Sequence, residues 1–445
     1  MSPSRSNETL LLPRFEPVTS TTPKLHMSNW ICCQIGAREH YSIPRALHEN
    51  GQLAHLITDA WFTPQSPFGV LPFSPTTALK ERFHPTLQQA STHAFNLSLI
   101  RFEISQKLQK TLAWERMIAR NYWFQKQAIN RLKKLAPQLN TRPILFSYSY
   151  AALELFRFAK QQGWLTILGQ IDPGPLEEKI VIQEYQRSPQ YRGDWEPVPT
   201  SYWQTWREEC ELADCIMVNS LWSRHLLEKA GINAEKIQVI PLVYTPPETA
   251  KNFSRTYPES FSPERPLRVL FLGQVILRKG IAAVLAAVEK LEGYPIEFWL
   301  VGSQQIEIPP HLKTHPQIRW VGHVNRSETA QYYQQADVFL FPTLSDGFGL
   351  TQLEAQAWKL PIIASRFCGE VVVDGVNGWL LDEVSGEAIA NLLKFILQDT
   401  EKLIKLSQHS ADLNKFSLAT LADSLQNLVS EKFHVAKTNQ RSVYQ

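Results

Sequence analysis

Short apolar segments that end at a glycine and lead into a helical pattern recur along this chain. Residues Trp30–Ile35 run into Gly36 and then into a helical stretch at 43–50, and residues 267–272 run into Gly273 in the same way. Strands that alternate with helices favour a parallel sheet, because a parallel strand pair needs a long crossover connection, which is usually a helix. The sequence therefore predicts an α/β fold with strand-to-helix turns of the Rossmann type.

Two such units flank a segment rich in proline, serine and glutamate at residues 241–266, which shows no clear helical or strand pattern. A chain of 445 residues exceeds one ordinary hydrophobic core, since single cores stop growing at about 250–300 residues. We therefore expect five parts: a mobile tail over 1–25, a Rossmann-like domain over 26–245, an interdomain linker over 246–266, a second Rossmann-like domain over 267–410, and a last segment over 411–445 whose helix braces the domains.

Composition narrows the class of protein. The chain is 44% hydrophobic and 20% charged, as in globular proteins, and its net charge of +3 is too small to suggest nucleic-acid binding. Five cysteines without regular metal-ligand spacing argue against a disulfide framework or a zinc site. No apolar run approaches the roughly 18 residues that cross a bilayer, and the first residues lack the pattern of an export signal. We expect a cytoplasmic protein.

Residues 341–365 read as a strand, a glycine-rich turn, a short helix and a second strand. Gly347 and Gly349 let the backbone approach a ligand closely, and the free N–H groups that open the following helix favour an anion such as phosphate. Asp346 lies before this turn, and Glu354 lies on the helix beside its apolar face, where an idle carboxylate would be costly. The segment therefore predicts a site for a polar ligand.

These two acids, eight positions apart with Gly-Phe-Gly between them and an Ala-x-Ala-x-x-x-Pro run after them, resemble the donor-sugar motif of glycosyltransferase family 4. The resemblance implies the GT-B fold, two Rossmann-like domains that face a central cleft, and a retaining, metal-independent enzyme. In the family both acids are usually glutamate, the first near the donor sugar and the second on the ribose hydroxyls. Here the first is Asp346, and Leu360 replaces a common glycine.

Other segments resemble the same family. Residues 267–280 look like the first strand and loop of the nucleotide domain, where Lys279 matches a diphosphate-binding lysine, Gln274 replaces the usual arginine, and Arg278 is a candidate substitute. Residues 298–302 and 318–324 resemble the two strands whose loops hold the base. Residues 369–378 match the next acid and turn, with Glu370 at the loop or the sugar.

The first half of the chain contributes two candidates. Gly36 fits the family's glycine-containing loop, which faces the cleft near the donor diphosphate and the acceptor. Asp172 follows the strand pattern of 165–171, and parallel sheets place ligands beyond the carboxyl ends of their strands. Asp172 is therefore a candidate on the acceptor side, although Asp-Pro-Gly is also an ordinary turn sequence.

The resemblance thus implies catalytic roles for Asp346, Lys279 and Asp172, and no metal ligands. It also implies a larger donor-binding set. Its members are Gly36, Gln274, Arg278, Lys279, Gly302, His323, Val324, Asp346, Gly347, Phe348, Gly349, Leu350, Glu354 and Glu370.

Residues 101–135 contain nine Lys or Arg against two acids, with Trp114, Tyr122, Trp123 and Phe124 interleaved. This pattern permits contact with an anionic membrane surface. It equally describes an amphipathic helix with its apolar residues in the core and its cations in water. We favour the second interpretation, because aromatic residues at helical spacing usually report burial.

The resemblance implies a hexosyltransferase that moves a hexosyl unit from a nucleotide-diphosphate sugar to an acceptor hydroxyl, with retention and with no cofactor. The partners would be the nucleotide sugar and a glycan, lipid or small-molecule acceptor. Two alternatives stay open: a nucleotide-sugar epimerase or phosphorylase of the same architecture, and a catalytically degenerate GT-B protein that only binds. The sugar, the nucleotide base and the acceptor are open as well.

Overall fold

The computed structural model describes residues 29–63, 82–191, 193 and 195–434. The tail expected at residues 1–25 lies outside the described residues, as does the end of the chain after residue 434. In the described parts, two parallel sheets are each covered by helices, so the predicted α/β class is confirmed.

The first sheet has the strand order β3-β2-β1-β4-β5-β6-β7, and its strand pairs are parallel. Its strands are β1 Trp30–Gln34, β2 Leu53–Thr58, β3 Thr92–Ala94, β4 Ile144–Tyr148, β5 Leu165–Gly169, β6 Cys215–Val218 and β7 Ile237–Val239. The helices around it are α1 Ser42–Glu49, α2 Asn96–Gln109, α3 Ala113–Leu135, α4 Leu153–Gln161, α5 Pro175–Arg187, α6 Thr200–Leu212 and α7 Leu221–Lys229.

The second sheet has the order β10-β9-β8-β11-β12-β13, again with parallel pairs. Its strands are β8 Leu267–Leu272, β9 Ile296–Val301, β10 Ile318–Gly322, β11 Val338–Phe341, β12 Ile362–Ala364 and β13 Gly378–Leu380. The remaining α-helices are α8 Glu248–Lys251, α9 Ile281–Lys290, α10 Pro310–Lys313, α11 Thr329–Gln335, α12 Leu350–Ala357, α13 Gly386–Leu397, α14 Glu401–Gln408 and α15 Leu418–Val429.

Helices on both faces explain why the central strands are continuously apolar. Successive strand residues point to opposite faces, so Ile31 and Cys33 lie in one apolar cluster while Trp30 and Cys32 lie in another. With both faces covered, alternate polar residues have no solvent to meet, and the strand reads as an unbroken apolar run. All five residues of β1 are buried.

The strand orders place two glycine turns at equivalent points. Chain order reverses between β1 and β4 in the first sheet and between β8 and β11 in the second. Gly36 follows β1 and Gly273 follows β8. Because open α/β sheets bind ligands outside the carboxyl ends of strands at such reversal points, both turns lie where a site is expected.

Two local expectations differ from the structure. The basic, aromatic stretch at 101–135 forms two helices, because Lys110 adopts a left-handed conformation with φ of 50° between α2 and α3. The segment at 241–266 contains the short helix α8. The break between α2 and α3 has no glycine or proline at its left-handed position, whereas α8 begins directly after Pro247. Among the described residues, no helix combines the length and the apolar composition that a membrane span requires.

After the second sheet the chain returns to the first domain. Phe416 packs in a cluster of the second domain. Leu421 and Leu425 of α15 then pack beside Trp30 and Leu47 in a cluster of the first domain. The last helix therefore lies against the opposite domain from the segment that precedes it.

Candidate functional site

The loop between β11 and α12 packs against the first domain at Gly347 and against its own strand β11 at Gly349. A Cβ atom at Gly347 would lie 2.6 Å from the carbonyl oxygen of Ile171, and one at Gly349, where φ is +87°, would lie 2.5 Å from the ring of Phe341. Real Cβ atoms do not approach so closely, so both positions require glycine. The two domains therefore meet at the turn that sequence analysis singled out.

Asp346 and Lys279 form an ion pair at this loop. Each side chain is only 15% exposed. Burial alone would raise the pKa of Asp346, but Lys279 and Arg278 beside it hold that pKa below its ordinary value. The ammonium also lies 5.2 Å from the centre of the Phe341 ring. The structure thus brings two of the predicted catalytic residues into direct contact.

Arg278 ties the helical turn 277–279 to the same loop. Its Nη1 donates to the carbonyl oxygen of Ser345 at 2.8 Å, and it lies 3.7 Å from Glu177 of the first domain. The Ser345 hydroxyl donates to Glu177 at 2.7 Å. Burial chiefly raises the pKa of Glu177, to about 7. A carboxylate of the first domain therefore shares this site with two cations of the second.

Asp172 lies on the first-domain side of the contact. Its Oδ1 accepts hydrogen bonds from the Tyr150 hydroxyl at 2.6 Å and from the N–H of Gly174 at 2.9 Å. Gln170 donates to the same oxygen at 3.1 Å. Burial raises the pKa of Asp172 above its ordinary value, although the hydrogen bonds from Tyr150 and Gly174 oppose that shift. The carboxylate is held firmly in a turn, one residue from the Ile171 carbonyl that touches Gly347.

The loop after β1 is strained. Gly36 has a φ of +76° and donates its N–H to Asp59 at 2.9 Å. Glu39, His40 and Tyr41 then follow with φ values of 52°, 50° and 58°. Consecutive left-handed residues that are not glycine are rare, and such strain clusters at functional sites. Glu39 and His40 line a cavity together with Glu354, so the strained loop lies at the candidate site.

Glu354 faces a cavity of about 410 Å³ between the domains. The Tyr333 hydroxyl donates to its Oε2 at 2.7 Å, and burial raises its pKa above the ordinary value. Glu39 and Arg326 line the same cavity from the two domains. A carboxylate with one fixed donor keeps further acceptor positions for a ligand.

Other predicted donor residues lie at the carboxyl ends of β9 and β10. Gly302 has a φ of +143°, and a Cβ there would lie 1.8 Å from the carbonyl oxygen of Gly273, so this glycine is required by backbone packing. His323 is exposed and Val324 is half-buried after β10, while Gln274 is exposed after β8. Phe348 and Leu350 flank Gly349, with Phe348 buried.

Glu370 contacts the first domain instead of the ion pair. Its Oε1 accepts the N–H of Leu221 at the start of α7, at 3.0 Å. Burial raises the pKa of Glu370. Trp222 donates from its indole nitrogen to the Ser345 hydroxyl at 3.0 Å. The beginning of α7 and the loop containing Asp346 are thereby joined.

Sequence reasoning missed Glu177, Trp222 and the Asp59 cluster. Asp59 is fully buried and pairs with Arg82 at 2.8 Å and Arg120 at 2.7 Å. Glutamate in a first helical turn is common, so Glu177 carries no distinctive local signal. The available sequence signal for Asp59 was its position directly after the apolar strand pattern of β2, because parallel sheets place ligands and polar groups beyond the carboxyl ends of their strands.

Residues 253–412 match the family model described as "Glycosyl transferases group 1". Among curated proteins, the chain is 28% identical over 222 residues to the amylovoran biosynthesis glycosyltransferase AmsK of Erwinia amylovora. The matched region covers 46% of this chain and 50% of that protein. It is 27% identical over 171 residues to the capsular polysaccharide biosynthesis glycosyltransferase CapM of Staphylococcus aureus, covering 36% of this chain and 44% of that protein. The chain thus spans about half the length of these relatives.

Solved structures resemble the whole architecture. A sucrose-phosphate synthase from Thermosynechococcus elongatus has a TM-score of 0.61 at 18% identity, over 92% of this chain and 100% of that one. HepE of Anabaena in complex with UDP has a TM-score of 0.57 at 14% identity, over 91% of this chain and 100% of that one. The predicted GT-B fold is confirmed. The chain therefore has the GT-B fold, with a second domain that is similar to the group 1 glycosyl transferases.

Proposed function

We propose that this protein is a retaining glycosyltransferase that moves a hexosyl unit from a nucleotide-diphosphate sugar to an acceptor hydroxyl. The partly buried Lys279–Asp346 ion pair at the start of α12 is the observation that supports this most. Taking two charges out of water is costly. In this proposal the pair has a functional reason to be buried, because its charges contact a charged ligand.

Departure of a nucleoside diphosphate leaves negative charge that preorganised donors stabilise. Lys279, Arg278 and the N–H groups that open α12 would receive that charge, because both cations contact the loop that leads into α12, at Asp346 and Ser345. In the proposed mechanism these groups supply the positive charge that a metal ion supplies elsewhere. Asp346 would then contact the donor sugar, and Asp172 would face the acceptor from the other domain.

The nucleoside would lie in the cavity of about 410 Å³, with its ribose on Glu354. HepE, of the same fold, has been crystallised with UDP and with UDP-glucose. Uridine nucleotides are therefore the first ligands to test. AmsK and CapM are named for polysaccharide biosynthesis, and we propose a similar glycan-building role here.

Membrane contact is part of the proposal. Leu97, Leu108 and Leu112 are 66%, 79% and 63% exposed on or beside α2 and α3, and exposed Lys107 and Lys110 lie among them. Phe124 is buried in the core, as the amphipathic interpretation expects. Exposed leucines beside cations fit the surface of an anionic membrane, so we propose peripheral attachment through this face.

The test is nucleotide binding measured by calorimetry with UDP, GDP and ADP and their glucose conjugates. We expect selective binding that weakens about tenfold in Glu354→Gln, because a charge-assisted hydrogen bond contributes about 1.5–3 kcal/mol. Glu292→Gln, an exposed glutamate after α9, is the matched control and should bind like wild type. Absence of binding by any nucleotide to folded protein contradicts the proposal. Product analysis then separates transfer from isomerisation of the sugar nucleotide.

A further inference from the structure

A second, larger cavity of about 810 Å³ lies between the two domains. The first domain lines it with Trp114, with Tyr185 of α5 and with Trp195. The second domain lines it with residues 276–278 and 304–307. This volume is at the upper end of the roughly 300–1,000 Å³ typical of small-molecule sites.

Aromatic rings form one wall of this cavity. The rings of Tyr185 and Trp195 stack with centroids 5.0 Å apart and planes at 19°. Trp114 lies in the same lining and is held edge-on by Tyr202 at 5.4 Å. The stacked pair also borders a neighbouring hollow of about 460 Å³ together with Ile182. The two hollows share the pair, so the aromatic residues border both of them.

The remaining lining combines apolar residues such as Ile276 and Leu277 with polar residues that are mostly uncharged or acidic. Gln304, Gln305, Glu196 and Glu307 are exposed and offer amide and carboxylate groups. Among the lining residues that the structure describes, Arg278 is the one cation, and its Nη1 donates to the Ser345 carbonyl oxygen at 2.8 Å. A phosphorylated or carboxylated ligand would meet two carboxylates there. Flat aromatic faces with amide and carboxylate acceptors suit a neutral polyhydroxyl ring, whose C–H face packs on the rings while its hydroxyls donate.

The cavity adjoins the site described above through Arg278. This residue follows Ile276 and Leu277 of the lining and precedes Lys279, which pairs with Asp346. A chain lying in the groove would therefore have one end near the loop assigned to the donor sugar.

We propose that this groove binds several units of a neutral oligosaccharide as the acceptor, stacked on Tyr185 and Trp195. This inference rests on the proposed function and names the acceptor class for the same reaction. It predicts an acceptor longer than one sugar unit, since the aromatic pair borders two hollows of about 810 and 460 Å³.

The experiment uses the full chain and an immobilised panel of neutral and acidic bacterial oligosaccharides of one to eight units. Nucleotide binding is measured in parallel by calorimetry. We expect binding of a neutral oligosaccharide of at least three units, a loss of about tenfold in Trp195→Ala, and substantial recovery in Trp195→Phe, because the ring face supplies the contact. UDP affinity should not change. Glu307→Ala, on an exposed side chain, tests the groove independently of folding, and Glu292→Ala is the neutral control.

Each other result has a distinct meaning. If UDP binds but no neutral oligosaccharide does, or if Trp195→Ala and Glu307→Ala bind it as wild type does, the acceptor inference is wrong while the proposed function stands. If Trp195→Ala weakens UDP binding instead, the groove belongs to the nucleotide, and the inference is again wrong. If no nucleotide binds, the proposed function itself fails and the inference fails with it.

Discussion

At the scale of single residues, the loop before α12 holds a largely buried ion pair, whose two side chains are each 15% exposed. Asp346 is one methylene shorter than the glutamate expected by family resemblance, and it reaches Lys279 directly. Arg278 and Glu177 extend the cluster across the domain boundary at 3.7 Å. A carboxylate with a lowered pKa beside one whose pKa is raised to about 7 is an arrangement found where charge is used by a ligand.

Breaking the ion pair at Asp346 should cost stability. We expect Asp346→Asn to lower the free energy of unfolding by about 3 kcal/mol, because it leaves Lys279 partly buried without its partner. The pKa of Asp346 is lowered in the folded state, so this contribution is present above the unfolded pKa and is lost as pH falls through the folded value. Urea unfolding at several pH values measures the difference, which should shrink in acid.

Two comparisons sharpen that measurement. Asp346→Leu combined with Lys279→Met should recover most of the stability without restoring sugar transfer, because a buried pair can be replaced by apolar side chains. Glu248→Gln, which breaks the exposed pair with Lys251, should change stability by less than about 1 kcal/mol. If Asp346→Asn and Glu248→Gln lower the free energy of unfolding equally, burial of the Lys279–Asp346 pair does not increase its contribution to stability.

At the scale of elements, α2 and the start of α3 present an apolar face that the core does not cover. Leu108 is 79% exposed, and Lys107 and Lys110 flank it. Trp123 and Phe102, by contrast, stack with each other 5.3 Å apart. Within one basic, aromatic stretch, part of the apolar surface is therefore buried and part faces outward.

We expect the protein to sediment with vesicles that contain phosphatidylserine and much less with vesicles of phosphatidylcholine alone. Leu108→Asp with Leu112→Asp should weaken this binding at least about tenfold, since burying one leucine contributes about 1.5–3 kcal/mol. Ile404→Asp, on an exposed position of α14, is the matched control. Binding that survives the double substitution, or its absence in wild type, would contradict membrane attachment through this face.

At the scale of the whole molecule, the domains are joined by contacts between distant parts of the chain. The Ser345–Glu177 hydrogen bond links positions 168 residues apart. Tyr191 of the first half is buried in an apolar cluster of the second domain. Helix α15 makes the reverse connection through Leu421 and Leu425.

Helix α15 should stabilise the first domain selectively. Leu425→Ala removes a fully buried side chain and should cost about 2–5 kcal/mol. We expect faster amide exchange in α1, which packs in the same cluster, and unchanged exchange in α9 of the second domain. Hydrogen exchange followed by mass spectrometry measures both. Asp423→Ala, exposed on the same helix, should leave both rates unchanged, and an equal increase in α1 and α9 would refute a local brace.

The local residue pattern was sufficient to predict the strand β1 and the order of strand, turn, helix and strand within residues 341–365. The predicted strand Trp30–Ile35 corresponds to β1 Trp30–Gln34. Helical spacing predicts a buried face of Leu350, Leu353 and Ala357 in α12, and the last two are buried while Leu350 is half-buried. These features can be read from nearby residues, because a strand that is buried on both faces is continuously apolar. A helix that is buried on one side has apolar residues at helical spacing. The break between α2 and α3 was missed, since the left-handed Lys110 replaces the glycine that usually marks it.

The sequence by itself determined the parallel α/β architecture and the acids and glycines of one loop, because strand burial and close backbone approach demand particular residue types locally. Only the tertiary structure decided that Glu177 meets Ser345, that residues 39–41 are strained, and that Tyr185 and Trp195 face Gln304 across a groove. The strain at residues 39–41 lies within the first domain. The other two contacts arise where the two domains pack together. Their energy comes from surfaces far apart along the chain, and no local pattern encodes the pairing.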